Sequence, residues 1–158
     1  MRPVYDKNRL EDILADLIRI PSINPPGDEA PCVELLEEFL SECPQLEIST
    51  QHIGENRRNL IAVLRGSGEK KALLLNGHTD VVPVGERSAW THDPFGAEVV
   101  DGVMYGRGTG DMKAGLLAEA AALRLLAERE GTLAGDVVFL ATAGEEVDGC
   151  GARAFVRN

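Results

Sequence analysis

Three short segments gather the residues able to do chemistry. In Leu73-Leu74-Leu75-Asn76-Gly77-His78-Thr79-Asp80, an apolar run ends in a histidine, with an aspartate two positions on. In Tyr105-Gly106-Arg107-Gly108-Thr109-Gly110-Asp111-Met112-Lys113, an aspartate follows alternating glycines. In Phe139-Leu140-Ala141-Thr142-Ala143-Gly144-Glu145-Glu146, a second apolar run ends in paired glutamates. His78 offers an imidazole nitrogen to a metal. Asp80 falls on the same side of an extended backbone, and a carboxylate bonded to the far ring nitrogen fixes the tautomer of a ligating histidine and raises its basicity. The glycines around Asp111 allow a sharp turn and a close backbone approach, and its two carboxylate oxygens can bridge two ions. Glu146 can ligate, while Glu145 points elsewhere and can serve as general base toward a water. Nitrogen and oxygen donors of this kind suit zinc, with cobalt or manganese as substitutes.

Each segment alone has a plainer use. A histidine after a strand is commonly a hydrogen-bonded loop residue. Asp111 is well placed as the N-cap of a following helix, and Glu145-Glu146 could complement a helix dipole. The chemical reading rests on all three segments together, because loops at the carboxyl ends of strands are where open α/β sheets assemble their sites. Other chemistries fit poorly. There is no G-x-S-x-G nucleophile elbow, and Gly106-x-Gly108-x-Gly110 lacks dinucleotide-loop spacing and follows a hairpin. His52 reads as a surface strand residue. His92, in the aromatic and Pro-containing loop Trp90-Thr91-His92-Asp93-Pro94-Phe95, is a weaker alternative ligand with a structural role preferred.

The elements that must position these groups are legible from periodicity. Leu10, Ile13, Leu14, Leu17 and Ile18 predict a helix from about Asn8 to Arg19, with Asn8 and Glu11 resembling a capping box. Pro21 stops it, and PSINPPGDEAP is a turn-rich loop. A second helix, about Glu29 to Glu42, carries Cys32, Leu36, Phe39, Leu40 and Cys43 on its apolar side. Residues 46–53 alternate as a strand. NLIAVLRG and KALLLNG, separated by Ser67-Gly68, read as buried neighbouring strands. AEVV-Asp101-Gly102-VMY is a hairpin whose two turn residues supply positive φ. A helix from Met112 to about Arg129 presents Leu116, Ala120, Leu123 and Ala127 on one stripe. GDVVFLATAG is another apolar strand, and a last helix begins near Gly149. The expected fold is α/β, a mixed β-sheet sandwiched by helices.

Composition agrees with a packed domain. Of 158 residues 44% are hydrophobic, and 16 basic against 26 acidic residues leave a net charge of -10. Such a surface repels phosphate, so nucleic-acid and anionic-membrane partners are not expected. No apolar run approaches the ~20 residues of a membrane span, and no h-region of a signal peptide is seen at the start. Cys32, Cys43 and Cys150 are too few and odd in number for a disulfide framework, which points to a reducing, cytoplasmic setting.

The ordered set GHTDVVPVG, W-x-x-x-PF, DGVMYGRGTGDMKAG and ATAGEEVDGCGA resembles the dinuclear zinc deacylases and exopeptidases. That family includes acetylornithine deacetylase, succinyl-diaminopimelate desuccinylase, aminoacylase and glutamate-releasing carboxypeptidases. The resemblance covers nearly the whole chain. It implies a zinc-exopeptidase-like catalytic domain with two divalent metals, His78 on one, Glu146 on the other and Asp111 bridging. By the same resemblance Glu145 is the catalytic base, Asp80 supports His78, and the Asp111-Met112 peptide is cis. The substrate would be an N-acyl amino acid or small peptide, and the parent enzyme a homodimer. The family's catalytic domain also runs longer. It is expected to add a further acidic ligand, an inserted lid and dimerisation domain, and a distant histidine. Residues 1–158 thus read as its N-terminal portion, incomplete at the C-terminus and at best a feeble hydrolase alone. The rival reading is a metal-binding or folding fragment with no activity of its own.

Overall fold

The computed structural model describes residues 6–129 and 131–157. Helix α1 spans Lys7–Arg19. Its N-cap is Asp6, whose carboxylate accepts the Asn8 backbone N–H, rather than the Asn8–Glu11 box the sequence suggested. Helix α2 spans Ala30–Ser41, and Cys32, Leu36, Phe39, Leu40 and Cys43 are all buried as expected. Strands β1 (Glu47–Gly54), β2 (Arg57–Leu64), β3 (Leu73–His78) and β6 (Val137–Thr142) form one sheet in the order β1-β2-β6-β3. The pairs β1/β2 and β2/β6 are antiparallel and β3/β6 is parallel, so the sheet is mixed.

Two expectations need correcting. β2 and β3 are not neighbours, because β6 lies between them. The chain leaves β3, crosses through α3 (Ala114–Glu128) and returns as β6 parallel to it. Parallel pairs require such a crossover, so adjacency in sequence misled about adjacency in the sheet. Nor is β3 buried at its start: it is an edge strand, and Leu73 and Leu74 are about half exposed.

Pairing fixes which side chains share a face. Leu60, Ala62, Leu64, Val137, Phe139 and Ala141 point into one core with Leu17, Val33, Leu36, Leu40, Leu116, Ala120 and Leu123. Helices α1, α2 and α3 therefore cover one side of the sheet. α4 (Cys150–Arg157) lies on the other, tied to β1 and β2 by Gln51 Nε2 to the Ala154 carbonyl (3.1 Å) and Asn59 Nδ2 to the Gly151 carbonyl (2.9 Å). The hairpin β4 (Glu98–Val100) and β5 (Val103–Tyr105) forms around Asp101 (φ 51°) and Gly102 (φ 81°), as its sequence required. No helix among the described residues is long and apolar enough to cross a membrane. Cys32, Cys43 and Cys150 are free thiols.

Candidate metal centre

The parallel pair sets the site, because β3 and β6 end side by side, with His78 opposite Thr142. Two threonines knit these ends together. Thr142 Oγ1 donates to the Gly77 carbonyl and Thr79 Oγ1 to the Thr142 carbonyl, each at 3.1 Å. The segments that follow, Thr79-Asp80 and Ala143 to Glu146, therefore emerge together at one edge.

Asp111 comes from the other side. The helix expected from Met112 begins at Ala114 instead, after a wide turn at Thr109–Lys113. Asp111 (φ -133°, ψ 98°) and Met112 (φ -137°, ψ 28°) have non-helical backbones, and the peptide between them is cis. Asp111 is thus an extended residue ahead of the helix and not its N-cap, and its side chain is 79% exposed toward the site. Gly108 enters the turn at φ 88°, packed so closely on Val81 that only glycine fits there.

Among the described residues, one group of three or more His, Cys, Asp or Glu side chains could hold an ion. Donor atoms of His78, Asp111 and Glu146 all lie within 4.8 Å of one another. His78 is buried, and its Nε2 stands 3.1 Å from Asp111 Oδ1 and 3.8 Å from Glu145 Oε2. Its Nδ1 lies 3.0 Å from the backbone carbonyl of Asp80 and 3.5 Å from Asp80 Oδ1. The sequence suggested that the Asp80 carboxylate would be the bonded partner. The short contact is instead to the main chain of the same residue. An Nδ1–H donated to that carbonyl turns Nε2 toward Asp111, where it donates in the metal-free protein and would be the ligating nitrogen once its proton is displaced.

Asp80 does more than stand behind His78. It is fully buried. Oδ1 accepts the Glu145 N–H and Oδ2 the Glu146 N–H, both at 3.1 Å, and Asn24 Nδ2 donates to Oδ2 at 2.8 Å. One carboxylate thus fixes the backbone of both glutamates. Burial raises the Asp80 pKa, but the adjacent His78 ring and hydrogen bonds from Asn24, Glu146 and Glu145 outweigh it and hold the group at about 2. Burial likewise lowers the His78 pKa, yet hydrogen bonds to Asp80 and Asp111 carry it up to about 9. The Glu146 carboxyl is pushed up, first by burial and then by neighbouring Asp111, Asp80 and Glu145. The edge therefore presents crowded negative charge around one imidazole.

Sequence reasoning missed three supports. Asn24 lies in the I-N-P-P loop, where proline dominated the reading. Lys113 is fully buried, and its Nζ donates to the carbonyls of Leu17 (2.8 Å) and Ile20 (2.7 Å), capping α1 from the Asp111 turn. A cation at the start of an apolar helix opposes the helix dipole, and that mismatch was the available signal. Glu29, also fully buried, grips Arg57 through both carboxylate oxygens (2.7–3.3 Å) beneath Gly144. His92 does not join the cluster: Nδ1 pairs with Glu98 Oε2 at 2.8 Å and its ring lies 4.1 Å from that of Tyr105. His52 is an exposed residue of β1.

A family model described as Peptidase family M20/M25/M40 matches residues 74–158. The chain belongs to this family. Succinyl-diaminopimelate desuccinylase 1 of Ruegeria sp. (strain TM1040) is 47% identical over 111 residues, covering 70% of this chain and 28% of that protein. The succinyl-diaminopimelate desuccinylase of Cereibacter sphaeroides (strain ATCC 17029 / ATH 2.4.9) is 40% identical over 141 residues, 86% of this chain and 34% of that one. The chain thus spans about a third of the length of these M20 relatives. Among solved structures, the M20 metallo-carboxypeptidase Sso-CP2 of Sulfolobus solfataricus superposes with a TM-score of 0.75 at 25% identity, over 87% of this chain and 31% of that one. The YXEP protein of Bacillus subtilis, described as a dinuclear metal binding peptidase of family M20, gives 0.65 at 25% identity, over 97% and 40%. The α/β architecture with its mixed sheet is therefore that of M20 catalytic domains.

Proposed function

We propose that this M20 chain carries the metal-binding edge of an amide hydrolase acting on N-acyl amino acids or small peptides. The observation that carries the reading is the convergence of His78, Asp111 and Glu146 donor atoms within 4.8 Å, with Glu145 beside them. The donor set fits two divalent cations, zinc foremost and cobalt or manganese as substitutes. It offers one imidazole and several carboxylates, nitrogen and oxygen donors that suit such ions. His78 would hold one ion, Glu146 the other, and Asp111, its side chain 79% exposed, would serve both. Divalent ions held by these residues would supply Lewis acidity toward an acyl carbonyl and would lower the pKa of a bound water.

The chain's own residues supply the proton handling and the order. Water adds to the amide carbonyl, the C–N bond breaks, and a carboxylate and a protonated amine result. The Glu145 carboxylate takes the proton that the attacking water gives up and returns it to the leaving nitrogen. Its backbone is fixed by Asp80, so its side chain works from a set origin. Desuccinylase activity of the two relatives favours an acylated amino acid over a long peptide. Residues 1–158 are proposed as the N-terminal portion of the catalytic domain, a reading supported by the 28% and 34% coverage of those relatives. A homodimeric parent enzyme and a cytoplasmic location are part of the same proposal, the latter supported by three free thiols.

The test assays purified protein against N-succinyl and N-acetyl amino acids and dipeptides with added zinc or cobalt, beside zinc-binding titrations. Zinc binding that His78→Ala abolishes, with chelator-sensitive hydrolysis, is expected. Zinc binding without hydrolysis by any form carrying the remaining family sequence would favour the non-catalytic module. No zinc binding at all would refute the metal centre.

A further inference from the structure

We infer that Asn24 is a positioning residue for the metal centre: its amide locks the Asp80 carboxylate, and through it the backbone of Glu145 and Glu146. The inference rests on the metal-centre reading above. Three of the groups around Asp80 belong to the site itself, namely His78 and the two glutamate N–H groups. Asn24 is the donor that comes from elsewhere. It is 3% exposed, and its Nδ2 reaches Asp80 Oδ2 at 2.8 Å, the same oxygen that accepts the Glu146 N–H.

The amide is aimed because its backbone is pinned. The Asn24 N–H donates to the Val81 carbonyl at 2.9 Å, and the Val81 N–H donates to the Ser22 carbonyl at 2.9 Å. Ser22 Oγ donates to the Thr79 carbonyl at 2.6 Å. Residues 22–24 therefore run beside 79–81 as a short parallel extension of the sheet edge, bonded on both sides of Asp80. The remaining groups around Asp80 sit on the Glu145-Glu146 turn and on His78, the groups whose places are themselves to be fixed. Without Asn24 the carboxylate keeps no donor anchored in the α1–α2 loop, and its plane can follow the turn. Glu146 then loses its fixed place relative to His78 and Asp111.

A residue that merely packed its loop would not control the Glu145 and Glu146 amides. The test uses purified protein with Asn24→Ala and the near-isosteric Asn24→Asp, which sets a carboxylate where the donor stood. Zinc affinity, read by competition with a chromophoric chelator, is expected to fall about 10–100-fold in both variants. In metal-free protein, hydrogen exchange at the Glu145 and Glu146 amides is expected to rise about tenfold or more while the central strand amides of Leu60 and Phe139 keep their protection. Wild-type zinc affinity in both variants, or faster exchange spread evenly over the sheet, would overturn the positioning role. Absence of zinc binding by the wild-type protein would instead overturn the metal-centre reading, and this inference with it.

Discussion

Replacing Asp80 with asparagine separates its charge from its shape. Asp80 is fully buried, and the fold depresses its pKa from 3.8 to about 2. One pKa unit corresponds to about 1.4 kcal/mol, so the ionised group should stabilise the metal-free fold by roughly 2–3 kcal/mol at neutral pH. Counting bonds gives a similar figure. An asparagine oxygen can keep Asn24 Nδ2 and the Glu146 N–H, but its NH2 then faces the Glu145 N–H. Losing one charge-assisted bond costs about 1.5–3 kcal/mol.

The pH dependence carries the sign. A depressed carboxyl pKa gives stability present in full above 3.8 and lost as pH falls through about 2. His78 runs the other way. Raised from 6.5 to about 9, it contributes fully below 6.5 and loses its contribution as pH rises through about 9. Both shifts share one attraction between imidazolium and carboxylate, so it is counted once. Urea unfolding with a chelator present should show Asp80→Asn destabilised by roughly 2–3 kcal/mol near pH 6, shrinking to roughly half near pH 3. NMR titration should show the His78 pKa falling from about 9 toward 6.5 in the variant. A difference under about 1 kcal/mol near pH 6, or one that does not shrink in acid, would refute the reasoning.

Neighbouring glutamates should give different phenotypes. In the active enzyme Glu145→Gln should keep zinc affinity while kcat falls about 10²–10⁴-fold, whereas Glu146→Gln should weaken zinc binding first; equal metal affinities in the two would contradict the assignment. Gly108→Ala meets both a φ of 88° and a Cβ 2.8 Å from Val81 Cγ1, and should cost roughly 2–4 kcal/mol in thermal or urea unfolding. Glu29→Ala strands the Arg57 guanidinium, 18% exposed, under Gly144. Denaturant unfolding should report a loss of about 3 kcal/mol, and a change below 1 would show that solvent already serves Arg57.

What sequence could and could not foresee follows from the range of the forces involved. The helices were legible because Leu17, Leu36 and Leu123 sit on apolar stripes that any core must bury. The Asp101-Gly102 turn was legible because its backbone demand is local. Strand order was not, because nothing in residues 59–77 records that β6, arriving some 60 positions later, will take the place between β2 and β3. The cap of α1 went to Asp6 and not Asn8 for a similar reason of competition. Asn8 supplies the N–H that Asp6 accepts, so two good capping residues in succession cannot both lead the helix.

The candidate site divides along the same line. His78, Asp111, Glu145 and Glu146 were visible because their side-chain chemistry and loop positions are written in the chain itself. Their supports were visible only as ambiguity. Asp80 was read as a partner for one histidine. In the fold it accepts from three residues of two distant segments, and its bond with His78 runs through the main chain. Lys113 falls in the first turn of the helix expected from Met112, yet its ammonium serves the last carbonyls of α1, almost a hundred positions away. A buried lysine is costly unless such acceptors surround it, so the packing of α1 against the Asp111 turn explains the residue, and no local pattern could. The groups that would do chemistry are thus set by short stretches of sequence. The groups that hold them still are set by tertiary contacts, and this division is why Asn24, silent in the sequence, is where a perturbation of geometry without loss of any donor to metal is best made.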